Sequence, residues 1–197
     1  LRSAFWKNLL KFDVSLYRME IDDKIIVQTV DPVTSAIEYR NVGETSHTGI
    51  ETTVAIFPYD WINLALSYTY AENKYEDFND PITGIDYSGN WMPLAPKNRL
   101  NTRVAVIPMD RLVMELELDV HDKYYVDDAN TDTYDRPMLL NFRGSYDWHS
   151  WSVWLHAMNL TDEKYATRVT ARDSIFSYFP GNPRTFFIGL SYQWDKI

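Results

Sequence analysis

Apolar and polar positions alternate with period two over eight separate stretches of this chain, which predicts eight β-strands. The clearest is 112–119: Leu112, Met114, Leu116 and Leu118 share one face, and Val113, Glu115, Glu117 and Asp119 share the other. The pattern recurs over 10–17, 50–57, 62–69, 100–107, 140–147 and 151–158, and it ends the chain over 186–194, where Phe186, Ile188, Leu190, Tyr192 and Trp194 fall on one side. Throughout, one face is free of charge. The other carries Lys11, Asp13, Glu51, Arg103, Glu115, Glu117, Asp119, Arg143 and Asp147. Alternation does not say which face is inside. A soluble ligand-binding barrel turns the apolar face inward, and a membrane barrel turns it outward.

The connections break the tie. Every second one is tight: Pro58-Tyr59-Asp60-Trp61, Pro108-Met109-Asp110-Arg111 and Asp147-Trp148-His149-Ser150. The alternate ones are long and polar, roughly 22–48, 72–98, 121–137 and 162–183. Short turns at one rim and long loops at the other are the pattern of outer-membrane barrels, whereas long structureless loops are uncommon inside a compact soluble domain. The aromatics divide the same way. Trp6, Tyr59, Trp61, Trp148, Trp151 and Trp194 fall at the tight-turn rim, and Tyr68, Tyr70, Tyr124, Tyr125, Tyr134 and Tyr165 near the long loops. Two aromatic girdles are what the two membrane–water boundaries favour. The inner-face residues Ala65, Ser67, Ala105, Gly189 and Ser191 are small, which suits a wall facing water or a plug and not the filled interior of a closed eight-stranded barrel. The expected fold is therefore all-β: an antiparallel transmembrane segment of about eight strands belonging to a larger barrel. Its first strand, near Lys11–Met19, is expected to pair with a strand preceding Leu1.

Composition narrows the chemistry. A net charge of −9 lacks the basic footprint of a nucleic-acid binder. With no cysteine there is no disulfide or thiolate site. Mean hydropathy is −0.37, and no apolar run reaches the length of a transmembrane helix, which leaves a β-barrel untouched. Leu1-Arg2-Ser3-Ala4-Phe5-Trp6 has no long apolar core, so export would rest on a processed leader or a longer parent chain. Asp119, Asp122, Asp127, Asp128, Asp132 and Asp135 offer oxygens to calcium but lack a binding-loop spacing, and read as a solvated loop. His47, His121, His149 and His156 form no ligand pair by spacing. Ser150 beside His149 and Asp147 has no oxyanion context. Glu115 and Glu117 face Arg103 and Arg143 as paired wall charges. No enzyme is expected, and neither cofactor nor resident metal.

The order of four short motifs resembles the barrel of TonB-dependent outer-membrane receptors. They are Asn41-Val42-Gly43-Glu44-Thr45-Ser46-His47-Thr48-Gly49-Ile50-Glu51, then Pro93-Leu94-Ala95-Pro96-Lys97-Asn98-Arg99-Leu100, then Asn159-Leu160-Thr161-Asp162-Glu163-Lys164-Tyr165, then Pro180-Gly181-Asn182-Pro183-Arg184 before the last strand. Asp195-Lys196-Ile197 departs from the family habit of ending on the aromatic. The resemblance implies residues 1–197 as the C-terminal part of a 22-stranded type of barrel in the bacterial outer membrane, with the plug domain, and through it TonB, outside this chain. It implies uptake of a ferric siderophore or similar scarce nutrient. Candidate ligand residues, chosen as cations and aromatic faces, are Arg168, Arg172, Tyr178, Phe179, Tyr124 and Trp91 in the loops and Arg103 and Arg143 on the inner wall. In the final loop these arginines either grip an anionic chelate or pair with acids such as Asp173. Two other architectures remain: an autonomous eight-stranded outer-membrane protein with a structural or adhesive role, and a soluble ligand-binding β-barrel.

Overall fold

The computed structural model describes residues 2–5, 9–23, 25–31, 36–41, 43–80, 83–172 and 175–194; for 2–5, 25–31, 36–41 and 172 it describes the backbone. Trp6, Asp173 and the terminal Asp195-Lys196-Ile197 lie outside these residues. In chain order the strands are β1 (Arg2–Phe5), β2 (Leu10–Ile21), β3 (Ile25–Asp31), β4 (Ala36–Asn41), β5 (Glu44–Tyr59), β6 (Ile62–Asp77), β7 (Asn98–Met109), β8 (Leu112–His121), β9 (Tyr124–Tyr125), β10 (Thr133–Tyr134), β11 (Leu139–Trp148), β12 (Trp151–Met158), β13 (Ala166–Arg172), β14 (Ile175–Pro180) and β15 (Thr185–Tyr192). Nine of them form one antiparallel sheet in the order β1-β2-β5-β6-β7-β8-β11-β12-β15.

All eight expected wall strands are present, and the register confirms their two faces. On one side a row runs Ile56–Leu64–Val104–Leu116–Phe142–Ala157–Phe186. On the other, Asn63–Ala105–Glu115–Arg143–His156–Phe187 runs alongside. Both sides of the sheet are open, with Leu116 46% and Ile188 77% exposed on the apolar side and Phe187 47% on the charged one. The sheet does not close: β15 pairs with β12 and stands at the opposite end of the sheet from β1. An eight-stranded barrel closed within these residues is excluded.

Two expectations need correction. The strand beside the start of Lys11–Met19 lies within the chain: β1 pairs with β2 from Arg2↔Asp13 to Phe5↔Leu10. Four residues carry too little alternation to be read as a strand. The connections expected to be long and polar also carry strands of their own. Three contain hairpins of their own, β3–β4, β9–β10 and β13–β14. Their β-branched and aromatic content, as in Ile175-Phe176-Ser177-Tyr178-Phe179, favours strands.

The tight rim has a shared construction. In β5 the register jumps between Ile56 and Tyr59, and in β7 between Val106 and Met109, so each strand bulges at its proline, Pro58 or Pro108. Proline cannot donate to the ladder, and a bulge is where a strand tolerates it. The preceding residues turn their amides to the neighbour strand instead, Phe57 N–H to Leu9 O at 2.8 Å and Ile107 N–H to Trp61 O at 2.7 Å. Arg111 (φ 66°) and His149 (φ 53°) complete their turns in the left-handed region. Tyr59 and Trp61 stack 5.7 Å apart, and Trp151, Tyr192 and Trp194 follow one another at 4.7 and 4.8 Å. This rim carries the expected aromatic girdle.

Candidate functional site

A wall one strand thick, apolar outside and polar inside, has no interior of its own. Apart from Ala157, the buried apolar side chains gather at the other rim: Tyr75, Phe78, Tyr124, Val126, Leu139, Ala166 and Val169. Tyr124, Val126, Ala166 and Val169 form one cluster, with Tyr134 and Ala171 packed against it. The hydrophobic core is thus made by loops, and it joins the β9–β10 connection to the β13–β14 hairpin.

Hydrogen bonds extend that union. Ala171 N–H donates to Val126 O at 3.1 Å, and Ala166 N–H to the Tyr134 hydroxyl at 2.8 Å. The 78–97 loop joins through Asn130, whose φ of 57° suits asparagine. Its amide accepts from Trp91 N–H at 2.7 Å and donates to Trp91 O at 2.8 Å, pairing a side chain with a backbone as a strand would. Asn90 Nδ2 donates to Asp128 O at 2.9 Å and the Tyr75 hydroxyl to Asp128 Oδ1 at 2.7 Å. Asp127 accepts from Thr131 N–H, the Thr131 hydroxyl and Asp132 N–H. The carboxylates of Asp127 and Asp128 thus serve as acceptors that shape this loop. Replacing Asn130 by alanine is expected to cost about 2 kcal/mol locally, at roughly 1 kcal/mol per bond lost. Faster hydrogen exchange at the Trp91 amide, with the wall strands unchanged, is the expected result.

The last loop is clasped at its base by the two motifs that flank it. Asn159 is 2% exposed with φ 52°. Its Nδ2 donates to Glu163 O at 2.9 Å and Asn182 O at 3.1 Å, its Oδ1 accepts from Glu163 N–H at 2.9 Å, and its own N–H reaches Asn141 Oδ1 at 2.9 Å. Asp162 Oδ1 accepts from Arg184 N–H at 2.9 Å, and its Oδ2 lies 3.6 Å from the Arg184 guanidinium. Gly181 donates to Tyr165 O at 2.8 Å and packs so tightly on the Tyr165 ring that a Cβ would sit 2.2 Å from its Cζ. The spatial pairing explains why these motifs occur together: each supplies half of the hinge under the β13–β14 hairpin.

On the inner wall, Glu117 accepts from Asn101 Nδ2 at 2.9 Å and contacts Arg103 at 3.1 Å and Arg143 at 3.3 Å, while Arg143 also reaches Glu115 at 3.2 Å. The carboxylates lie deeper than the guanidiniums, so the ladder is neutral in sum but presents its cationic edges. Above it Asp119 binds Arg136, with Arg99 at 3.4 Å.

The predicted ligand residues therefore separate. Arg168 lies over the Phe179 ring, 5.7 Å from its centroid, and pairs with no acid among the described residues. The two are register partners on the hairpin, and both are exposed. Tyr178 pairs with Val169 on the opposite face and stacks on Phe176 at 6.1 Å. Arg172 ends β13 opposite Ile175, and its side chain lies outside the described part. Arg103 and Arg143 are together on the wall, as expected. Two placements differ from expectation. Tyr124 is not available to a ligand: it is buried between His121 and Tyr134, and burial pushes its phenol pKa up. Trp91 bridges Lys74, an outward-side position of β6, and so lies away from the inner wall. Both are loop aromatics, and residue type does not reveal whether a loop folds a ring inward or over the outer edge. Asn130 and Asn159 carried no chemical signal; the motif around Asn159 was visible, its role was not.

The fold has known relatives. Over 97% of the chain it is similar to the siderophore receptor PiuA from Acinetobacter baumannii, with TM-score 0.75 and 22% identity, covering 27% of that chain. Over 96% it is similar to the ferric yersiniabactin uptake receptor FyuA from Yersinia pestis, with TM-score 0.72 and 15% identity, covering 28% of it. Over 94% it is similar to the copper transporter OprC, with TM-score 0.71 and 15% identity, covering 30% of it. The chain thus spans less than a third of the length of each. A family model described as TonB dependent receptor-like, beta-barrel matches residues 1–160, and on that match, with an open antiparallel wall of the same architecture, the chain belongs to the TonB-dependent receptor β-barrel family.

Proposed function

We propose that this chain forms the C-terminal section of the barrel of a bacterial outer-membrane receptor that takes up a ferric siderophore or a similar scarce chelate, and that it has no enzymatic role. The open sheet edges support a larger barrel, because unpaired strand edges do not stand in hydrocarbon. A plug domain and TonB-linked energy coupling would be supplied by residues outside 1–197. The name of PiuA supports a siderophore and that of FyuA a ferric chelate; that of OprC marks how little the wall alone decides. The outward apolar face meets membrane lipid, and the chain's acidity, −9 overall, does not suit nucleic acid.

The observation that carries the ligand reading is Arg168. In an acidic chain it stands exposed on a hairpin anchored to the loop core, stacked on an aromatic ring and without an ion-pair partner among the described residues. A guanidinium so placed offers a fork to carboxylate-like oxygens beside a flat apolar surface. Arg172 is the second cation of the loop, Phe179 the aromatic face beside Arg168, with Tyr178 on the hairpin's other face, and Arg103 and Arg143 the cationic wall below. Equilibrium binding of a ferric chelate by the full-length receptor tests this. Arg168→Ala plus Arg172→Ala is expected to weaken binding by about 1.5–3 kcal/mol, roughly tenfold or more. Unchanged affinity with normal surface expression removes the hairpin from the site and leaves Arg103 and Arg143.

A further inference from the structure

At the mouth of the inner wall one imidazole keeps a nitrogen in reserve. His121 ends β8 on the side of Glu115, Glu117 and Asp119, one step of the alternation above Asp119. Its Nδ1 lies 2.7 Å from Asp122 O. A carbonyl oxygen only accepts, so Nδ1 carries the proton, and Nε2 of the neutral ring keeps its lone pair. Nε2 has no hydrogen-bond partner among the described residues. The ring itself packs on Tyr124, with centroids 5.6 Å apart. Packing and tautomer are thus set through the ring and Nδ1, and Nε2 is left for something else. The other histidines are placed differently. His47 engages both nitrogens, with Asn73 Oδ1 at 2.6 Å and Thr45 Oγ1 at 3.2 Å. His149 sits in a tight turn at the opposite rim, and His156 lies lower on the wall with its ring 4.7 Å from Trp154.

A histidine whose Nδ1–H is held by a carbonyl is the form in which metal centres use Nε2, since that bond sets the tautomer and the direction of the ring. No three His, Cys, Asp or Glu gather among the described residues to hold a bare ion. The neighbours of His121 are guanidiniums, which also disfavour one. Arg99 is its register partner, with Cβ atoms about 5 Å apart. The Arg99 side chain is 61% exposed and meets Asp119 Oδ2 only at 3.4 Å, while Arg136 binds the other oxygen of the same carboxylate. Asp122 turns its carboxylate to Asn98 Nδ2. Glu51, in the same cross-strand row, stands two strands from Arg99, about 10 Å away. One neutral nitrogen donor beside one available guanidinium suits a metal that arrives with most of its ligands already bound.

We propose that His121 Nε2 coordinates the metal of the incoming chelate directly, at a position that the chelator leaves to water, while Arg99 grips a carboxylate-like oxygen of the chelator. Imidazole is a good ligand for iron and copper alike, and the guanidinium fork fits such oxygens. The bond forms by exchange: water leaves the metal, the Nε2 lone pair takes its place, and no oxidation state changes. In a receptor for metal chelates, the reading on which this site depends, the substrate is then a chelate with fewer donors than the metal has positions, and not one that encloses its metal.

Pulsed electron paramagnetic resonance on the full-length receptor in detergent tests it, with two copper(II) chelates as probes at half an equivalent of copper. Copper nitrilotriacetate leaves a position open, and copper ethylenediaminetetraacetate does not. The unmodified receptor is expected to retain the first more tightly, on the order of tenfold, and to show spin-echo modulation from the remote nitrogen of a coordinated imidazole. His121→Gln is expected to remove the modulation and the preference together. Arg99→Gln should weaken retention and leave the modulation in what stays bound. Equal retention of the two chelates by the unmodified receptor overturns the proposal, as does modulation that persists in His121→Gln. Binding of ferric nitrilotriacetate separates the two levels. If it falls with Arg168→Ala plus Arg172→Ala but not with His121→Gln, coordination by His121 is overturned and the receptor reading stands. If no ferric chelate binds while copper nitrilotriacetate still shows His121-dependent modulation, the coordination site stands and the ferric reading falls.

Discussion

Asn159→Ala is expected to free the β13–β14 hairpin from the wall, at a local cost of about 4 kcal/mol. The buried amide makes three side-chain hydrogen bonds, two donated and one accepted, to backbone on both sides of the hinge. At about 1 kcal/mol each they contribute about 3 kcal/mol. The φ of 52° adds about 1 kcal/mol more, because alanine tolerates the left-handed region less well than asparagine. Asn159→Gly separates the two contributions: it keeps the backbone conformation, loses the bonds, and is expected to cost about 3 kcal/mol by the same count. Asn159→Asp keeps the acceptor but turns a buried carboxylate oxygen toward the two carbonyls that Nδ2 served, and should cost more than glycine. Hydrogen exchange over Tyr165–Asn182 in the full-length receptor reads these differences directly, since opening of this segment need not unfold the wall. An alanine variant whose exchange matches wild type would mean that the hairpin is held by its packing on Val126 and Tyr124 and not by the clasp.

The wall was legible because its physics is local. A strand between lipid and a wet lumen has to alternate, so Leu112–His121 announces both its existence and its two faces residue by residue. The register then follows from the tight turns, and Glu117 meets Arg103 and Arg143 as their shared alternation suggests. Even the bulges left a trace, since a proline two residues before the turn in both β5 and β7 forces one. β1 escaped because four residues, Arg2–Phe5, hold only two periods of the alternation, too few to read as a pattern.

The mouth was less legible because its contacts are distant in sequence. Asn130 and Trp91 are 39 residues apart, Tyr75 and Asp128 53 apart, and nothing in the composition of either partner signals the other. Acids that read as a solvated or metal-binding loop are acceptors for specific N–H and O–H groups. Tyr124 read as a girdle or ligand aromatic because an exposed and a buried tyrosine look alike in a polar loop. Val169 at 1% exposure, with Ala166 at 5%, shows that the hairpin has a core side and a free side. That division is what separates Arg168 and Phe179 from Tyr178. The motifs near Asn159 and Gly181 were visible as motifs. Their meaning required seeing that residues 159–165 and 181–184 are the two ends of one loop and that the chain must close it.

Leu116→Arg is expected to destabilise the membrane-inserted receptor by about 2–4 kcal/mol, the cost of a cation near the middle of the lipid-facing surface of a barrel. Leu116 is the right position because the register places it between Val104 and Phe142 within the row from Ile56 to Phe186, away from either aromatic rim. Its side chain has no carboxylate neighbour on that face. The control is Ala105→Arg, one strand away and on the other face. There the new guanidinium stands opposite Glu115, with water or a plug surface before it, and the expected cost is below about 1 kcal/mol, typical of an exposed cross-strand ion pair. Urea-dependent folding of the full-length receptor into phosphatidylcholine vesicles measures both. A large loss for Leu116→Arg and a small one for Ala105→Arg fixes the sidedness of all nine wall strands, since their registers are linked. Equal costs, or a greater cost at Ala105, would turn the charged face toward lipid and the apolar face inward.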